Sequence, residues 1–492
     1  MNKPSYIYTI KKIKRHAFML LFVVLLAACS TPKVAGLQPV KKLPEQFDRK
    51  NDSLKRKGEF TGVTTTTYFK DQQLQNLLDK ALQQNPDYLI MQERILIANS
   101  QLKVAKLALL PTLDLVAEGS GTHYSKYTME GVGNYDTNLS QNISADQRIA
   151  TNVTPNYFLG GRVSWEADLW GRLNNKKRGA LQRYLASQEG VKLLQARLLT
   201  DIANLYYKLV ALDRQDAIYR ENLKTQQHAL DIIAAQRSVG KATELAVQQF
   251  EAQNNNILAQ ERQIALSIDQ TEKALLTLIG EYGGTIERSN GFISGHLDVL
   301  NQKMAVDSVV HNRPDVREAY YRLAATHAGA KAARAAFFPK LTLGGYGGLN
   351  SFSIPTFFDT GSLAWQLLGG LTAPVFNRGQ IKQQFFAANK EQQIAFYNYQ
   401  NAVTTSFNEL SALLHRTEAF EEVLGFKNEE INHLEIAVNV ANDLYLSGYA
   451  NYLEIISAQK NKLQAQLDYV DIQLENAKSQ VQLYKALGGI IK

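Results

Sequence analysis

The chain has 492 residues, room for two to four ordinary domains, and its 45% apolar and 20% charged residues make an ordinary globular composition. The formal net charge is +8, but Lys3, Lys11, Lys12, Lys14 and Arg15 fall within residues 1–28, where there is no acid, so only +3 belongs to the rest. That balance argues against a nucleic-acid partner, and no basic stripe with interleaved aromatics appears later.

The chain begins with a targeting pattern. A basic stretch, KKIKRH (11–16), precedes the apolar run AFMLLFVVLLAA (17–28), which has the length of a signal-peptide core. The run ends in LAAC, with Leu26 and Ala28 ahead of Cys29, the only cysteine of the chain. A lone thiol is odd in an exported protein. Acylation of Cys29 at a lipoprotein cleavage site removes the oddity, and Ser30 at the next position favours the outer membrane. Residues 1–28 are thus expected to be a lipoprotein signal peptide and 29–60, polar and proline-containing, a lipid-anchored extended tether. No later apolar segment reaches about 18 residues, so no transmembrane helix is expected.

The mature chain reads as a duplication. NPDYLIMQERILIANSQLKVAKLALLPTLDL (85–115) matches RPDVREAYYRLAATHAGAKAARAAFFPKLTL (313–343), with Pro86 on Pro314 and Pro111 on Pro339. Farther on, Gly171 matches Gly379, Gly240 matches Gly448 and Gly280 matches Gly488. The first repeat is placed at 61–284 and the second at 285–492, with an equatorial segment at about 281–310. Proline is absent from 156 to 313 and from 375 to 492, and these stretches are rich in helix formers. Leu194, Leu198, Ile202, Leu205, Leu209 and Leu212 recur at helical spacing. A helix from Arg172 to Arg237 would be about 100 Å long, which points to coiled-coil packing. Asn85-Pro86-Asp87 reads as a capped helix start, and Pro111 and Pro339 as helix ends.

After each of those prolines the period becomes two. In RVSWEADL (162–169), Val163, Trp165, Ala167 and Leu169 oppose Arg162, Ser164, Glu166 and Asp168. In TLDLVAE (112–118), Leu113, Leu115 and Ala117 oppose Thr112, Asp114 and Glu118. Strands are expected at about 112–122, 156–169, 341–350 and 363–376, joined by polar connections. Trp165, Trp170 and Trp365, all the tryptophans of the chain, lie in or at the ends of these strands, as in the aromatic girdle of a membrane barrel. Four strands cannot close such a barrel, and open edges are not tolerated in lipid. If the strands enter a membrane, the chain must oligomerise, and three chains would supply twelve strands.

SVGKAT (238–243) looks at first like a phosphate loop. No strand precedes it, Ala242 separates Lys241 from Thr243, and its copy at Gly448 is followed by Tyr449 rather than lysine. The shared element is the glycine, suited to a left-handed helix stop, with Thr243 as cap of the returning helix. Arg237, Ser238, Val239, Gly240, Lys241, Ala242 and Thr243 therefore read as one hairpin tip near 240. Tyr445, Leu446, Ser447, Gly448, Tyr449, Ala450 and Asn451 read as the other, near 448. The eight histidines are scattered, no nucleophile elbow occurs, and GGYGG (344–348) opens no helix. No catalytic, metal or cofactor site is expected.

On YLSGYANYLEIISAQ (445–459), VQLYKALGG (481–489), RPDV (313–316) with PKLTL (339–343), SWEADLWGR (164–172) and RSVGKATEL (237–245), the chain resembles the TolC-like outer-membrane factors. The likeness is to the lipoprotein branch that serves tripartite (RND-type) efflux pumps, and it covers essentially the whole mature chain. It implies a mainly α fold with a membrane β portion: long antiparallel coiled-coil helices in a trimeric α-barrel, and four strands per chain in a twelve-stranded outer-membrane β-barrel. The implied role is a passive exit duct for drugs or other small molecules, whose partners are the other copies of the homotrimer, outer-membrane lipid, a periplasmic adaptor (membrane fusion) protein and an inner-membrane pump. The two tips become the adaptor-docking elements. At the periplasmic entrance, Leu453 takes the place of an apolar constriction, while Glu454 and Ser457 take places where members often carry Asp. Tyr445 matches a position that hydrogen-bonds across helices, and Ala450 stands where some members have arginine. The alternatives are a type I protein-secretion duct and a structural coiled-coil periplasmic lipoprotein without a pore.

Overall fold

The computed structural model describes residues 32–39, 41–44, 65–292 and 306–489. Cys29 and the signal sequence lie outside the described residues, as do most of the tether and part of the 281–310 segment. The chain forms two compact units. One takes Ala98–Tyr184 and Arg322–Phe396 with the described part of the first 38 residues; the other takes Leu185–Tyr321, Tyr397–Lys492 and the described part of Pro39–Ile97.

The chain order is α1 (Thr65–Tyr68), α2 (Gln72–Gln84), α3 (Pro86–Leu107), β1 (Thr112–Thr122), α4 (Met129–Leu139), β2 (Thr154–Ala167), α5 (Arg172–Ser238), α6 (Glu244–Ile279), α7 (Val306–Asn312), α8 (Pro314–Ala335), β3 (Lys340–Ser351), β4 (Leu363–Thr372), α9 (Gln380–Leu446) and α10 (Tyr452–Ala486). The repeats have matching lengths. α3 and α8 each have 22 residues, and α5 and α9 each have 67, about 100 Å at the α-helical rise. The returning helices α6 and α10 have 36 and 35 residues.

In the first unit the strands form one antiparallel sheet in the order β1-β2-β3-β4. The register pairs Leu113 with Val163, Trp165 with Leu343, and Gly347 with Trp365. Because alternate residues share a face, Leu113, Leu115, Val163, Trp165, Leu343, Leu367 and Leu371 gather on one side. Asp114, Glu118, Arg162, Glu166, Tyr346 and Gln366 gather on the other, where Arg162 pairs with Glu118 at 3.5 Å. β1 and β4 are the edges, and almost all their residues are exposed. The glycines of GGYGG allow a close strand crossing. A Cβ on Gly348 would come within 2.4 Å of the Gly160 Cα, and the Phe158 and Tyr346 rings pack edge to face, 5.4 Å apart.

The end of β2 shows how strand passes into helix. Asp168 accepts from the backbone N–H groups of Leu173 and Asn174 (both 2.8 Å), capping α5. Gly171 makes the turn at φ 70°. Arg172 grips Glu166 through two hydrogen bonds of 2.9 and 2.6 Å. The capping duty of Asp168 explains why β2 stops at Ala167, although the alternation continues to Leu169. β4 stops at Thr372, before Pro374, and α4 is a helix inside a connection whose composition reads as polar loop. The extended segment at Ala35 lies against α9, where its N–H donates to Asn389 Oδ1 (2.9 Å).

The second unit is helical, with a core around Tyr68, Phe69, Leu199, Ile202, Tyr206, Leu275, Ile279, Leu410 and Tyr484. Buried Asp71 organises it, capping α2 while accepting from Tyr206 Oη (2.7 Å) and Ser289 Oγ (3.0 Å). Burial, and then Asp71, push the Tyr206 hydroxyl up to about 12. Arg288 ties the segment after α6 to Asp213 of α5 and Glu272 of α6. The duplication recurs in chemistry as well as length. Asn85 Nδ2 donates to Leu278 O (2.9 Å), near the end of α6, while Arg313 Nη1 donates to Ala486 O (3.2 Å), at the end of α10.

Candidate entrance and docking site

Both hairpin tips close in the same way. After α5, the N–H groups of Lys241 and Ala242 donate back to Gln236 O (2.8 and 3.3 Å), with Gly240 at φ 72°. After α9, Tyr449 and Ala450 donate to Leu444 O (2.9 and 3.2 Å), with Gly448 at φ 81°. These bonds satisfy the last helix carbonyls in the manner of a Schellman stop, which needs the left-handed conformation glycine tolerates. The returning helices are then capped. Thr243 accepts from the Ala246 N–H, and Asn451 from the Leu453 N–H. Arg237 and Glu244 bracket the first tip as an exposed ion pair of 2.6 Å. Residues 238–243 thus form the turn from α5 to α6.

A small core holds the two hairpins together behind their tips: Ile233, Ala246, Val247, Phe250, Ala441 and Ile455. Tyr445 Oη donates to Gln236 Oε1 at 2.5 Å, a bond from α9 to α5, and burial raises the Tyr445 hydroxyl above its ordinary value. A cavity of about 210 Å³ lies beside this bond, with Ile232, Phe250, Tyr445 and Ile455 in its wall. Among the polar residues exposed at the tips stand four apolar side chains, Val239, Leu245, Leu446 and Tyr449.

The first turn of α10 divides its residues. Ile455 enters the core, while Leu453, Glu454 and Ser457 share the exposed face, with Leu453 48% exposed. Leu453 is therefore not part of the chain's own coiled-coil core. Ala450 is half-buried and offers no side-chain hydrogen bond.

The tryptophans are not level with one another. Trp165 donates to Leu109 O (2.9 Å) and Trp170 to Pro339 O (2.7 Å), stacked on Phe338 at 4.7 Å. Both brace the strand-to-helix junction. Trp365 lies opposite Gly347, four residues along β3 from the partner of Trp165, a rise of about 13 Å.

A family model described as "Outer membrane efflux protein" matches residues 77–281 and 305–489, one stretch in each repeat. The chain belongs to the outer membrane efflux protein family. Solvent efflux pump outer membrane protein SrpC of Pseudomonas putida is 28% identical over 429 residues, 86% of each chain. Probable outer membrane lipoprotein SilC of Salmonella typhimurium is 25% identical over 469 residues, 95% of this chain and 97% of the other. Cation efflux system protein CusC of Escherichia coli is 25% identical over 458 residues, 92% and 94% of the two chains. A solved structure of CusC superposes with a TM-score of 0.79 at 23% identity, covering 94% of this chain and all of that one. This outer membrane efflux protein is therefore an outer-membrane exit duct with the fold of that channel family.

Within the efflux protein, some supporting residues escape sequence reading. Gln236 partners Tyr445 across 209 positions, and nothing in the spacing of a long helix marks one glutamine among many. Arg288 lies in an irregular stretch without a period. Asp168 is legible in the sequence only as a polar strand residue, and its capping role appears in the bonds from Leu173 and Asn174.

Proposed function

We propose that the channel works as a homotrimer in which β1 of each chain pairs with β4 of the next, giving a twelve-stranded barrel. The observation that carries this reading is the sheet itself: one apolar face, one polar and charged face, and two unpaired edges. In lipid such edges must be paired, and polar residues line the aqueous interior of a membrane barrel. Trp165, Trp170 and Trp365 would then sit at its aromatic girdles. Cys29 carries the lipid anchor, adding a second attachment to the same membrane.

The helical hairpins project into the periplasm as an α-barrel. The tips at Arg237–Thr243 and Tyr445–Asn451 dock a periplasmic adaptor, which couples the duct to an inner-membrane pump that selects drugs or other small molecules. Val239, Leu446 and Tyr449, exposed at the two turns, are apolar side chains available for such a contact. Three copies of Leu453 narrow the entrance, and three copies of Glu454 favour cations there, with Ser457 adding no charge. Movement through the duct is passive.

The test is a deletion strain complemented with the full-length chain. Restored resistance, together with trimers that dissociate on heating, supports the reading. Stable monomers that restore nothing would refute it.

A further inference from the structure

The connection between β1 and β2 contains a helix built inside out. α4 turns polar side chains toward its own loop: Asn138 exchanges hydrogen bonds with Ile149 (2.7 and 2.9 Å), and Asn134 donates to Thr154 Oγ1 (3.2 Å). Its apolar side chains point the other way. Met129, Val132, Tyr135 and Leu139 form a stripe at helical spacing, and they are 87%, 52%, 62% and 67% exposed. Burying such a stripe is favourable, and nothing in the chain's own described residues covers it.

A second apolar group faces outward at the same end of the sheet. The connection between β3 and β4 is braced by Ser351, whose hydroxyl lies 2.9 Å from Thr356 Oγ1, and by Ser362, which donates to Thr356 O (2.7 Å). On this braced loop Ile354 and Phe358 are 65% and 79% exposed. The two groups are attached to opposite edges of the sheet. α4 follows edge strand β1 after six residues, and Phe358 precedes edge strand β4 by five. Both groups stay exposed within one chain, and pairing β1 of one copy with β4 of another would bring them side by side.

We propose that the α4 stripe packs on Ile354 and Phe358 of the neighbouring copy, forming an apolar seam at the outer mouth of the barrel. The inference rests on the trimeric reading above. The occupant is a second copy rather than a lipid surface. α4 contains no Lys or Arg, whereas helices that lie on membranes carry those residues on their polar face. The whole connection, 123–153, sets Lys126 and Arg148 against Glu130, Asp136 and Asp146, so it has no positive charge to offer lipid phosphates. The seam would make closure of the sheet and shaping of the outer mouth one event.

The chain's single native cysteine makes a crosslinking test clean. Full-length V132C/F358C and Y135C/F358C are oxidised in isolated outer membranes, with each single variant as control for links through Cys29. Covalent dimers and trimers on reducing-agent-free gels, absent from the single variants, are expected from at least one pair. Unheated samples report assembly separately. Intact trimers without intermolecular links from either pair, or with links only within a chain, would overturn the seam while leaving the trimer standing. Loss of trimers in the unsubstituted protein would overturn the trimeric reading itself.

Discussion

Gly240 and Gly448 are where single residues bear most directly on function. Nothing lies within 4 Å of a Cβ added at either position, so the cost of substitution is conformational rather than steric. A left-handed β-branched residue loses about 1–2 kcal/mol or more, which would unwind a tip without touching the sheet. Gly240→Val and Gly448→Val are expected to leave heat-dissociable trimers intact while weakening capture of the adaptor and export. Export unaffected by both changes would show that the tips do not dock. Both glycines, with Gly171, Gly280, Gly379 and Gly488, have positive φ. These are the three pairs that the repeat alignment singles out, so a second copy made their backbone role legible. The Tyr445–Gln236 bond was half legible: the tyrosine stands out, its partner does not.

Buried Arg313 offers a second residue-scale test. It binds Asp315 (2.9 Å) and Glu409 (2.6 Å) while capping Ala486 O. Burial alone would raise the Asp315 carboxyl, but Arg313 outweighs it and holds the group below its ordinary value. A depressed carboxylate stabilises the fold above its unfolded value of about 3.9, and that contribution is lost as pH falls through the folded value. In a pH series of thermal melts, Arg313→Leu should lower stability by about 3–5 kcal/mol at pH 6–8. Its deficit should shrink as pH falls below about 3.9 and on through the lower value at which Asp315 is protonated in the native protein. A deficit independent of pH would mean that packing alone, not the ion pair, is lost.

Among the elements, the sheet discriminates most sharply. Its alternation was readable in β1 and β2 because Asp114, Glu118, Arg162 and Glu166 mark one face. In β3 the glycines weaken the pattern, since Gly348 is there for close approach to Gly160 of β2. α4 was not readable because its apolar side points outward and its Asn-rich side inward, the reverse of the usual rule. If the apolar face meets lipid, Leu115→Arg should cost about 2–4 kcal/mol at mid-bilayer and abolish trimers in the outer membrane. Ser120→Arg, on the polar face, should leave assembly unchanged and alter only conductance. Equal damage from both would mean that the two faces have been assigned to the wrong solvents.

For the whole molecule, the described residues give two 67-residue helices, their returning partners and a four-stranded sheet with open edges. Helix lengths were legible because proline is absent over long stretches, and the strands because the period changes after Pro111 and Pro339. The partner of each edge was not legible from one chain, since a sheet edge names its need for a neighbour but not the number of neighbours. Four strands per chain allow eight strands from two copies or twelve from three. The native mass of the mature protein extracted in detergent separates these directly. The trimeric duct predicts a particle of three chains that falls to one on heating. A particle of one or two chains would contradict it.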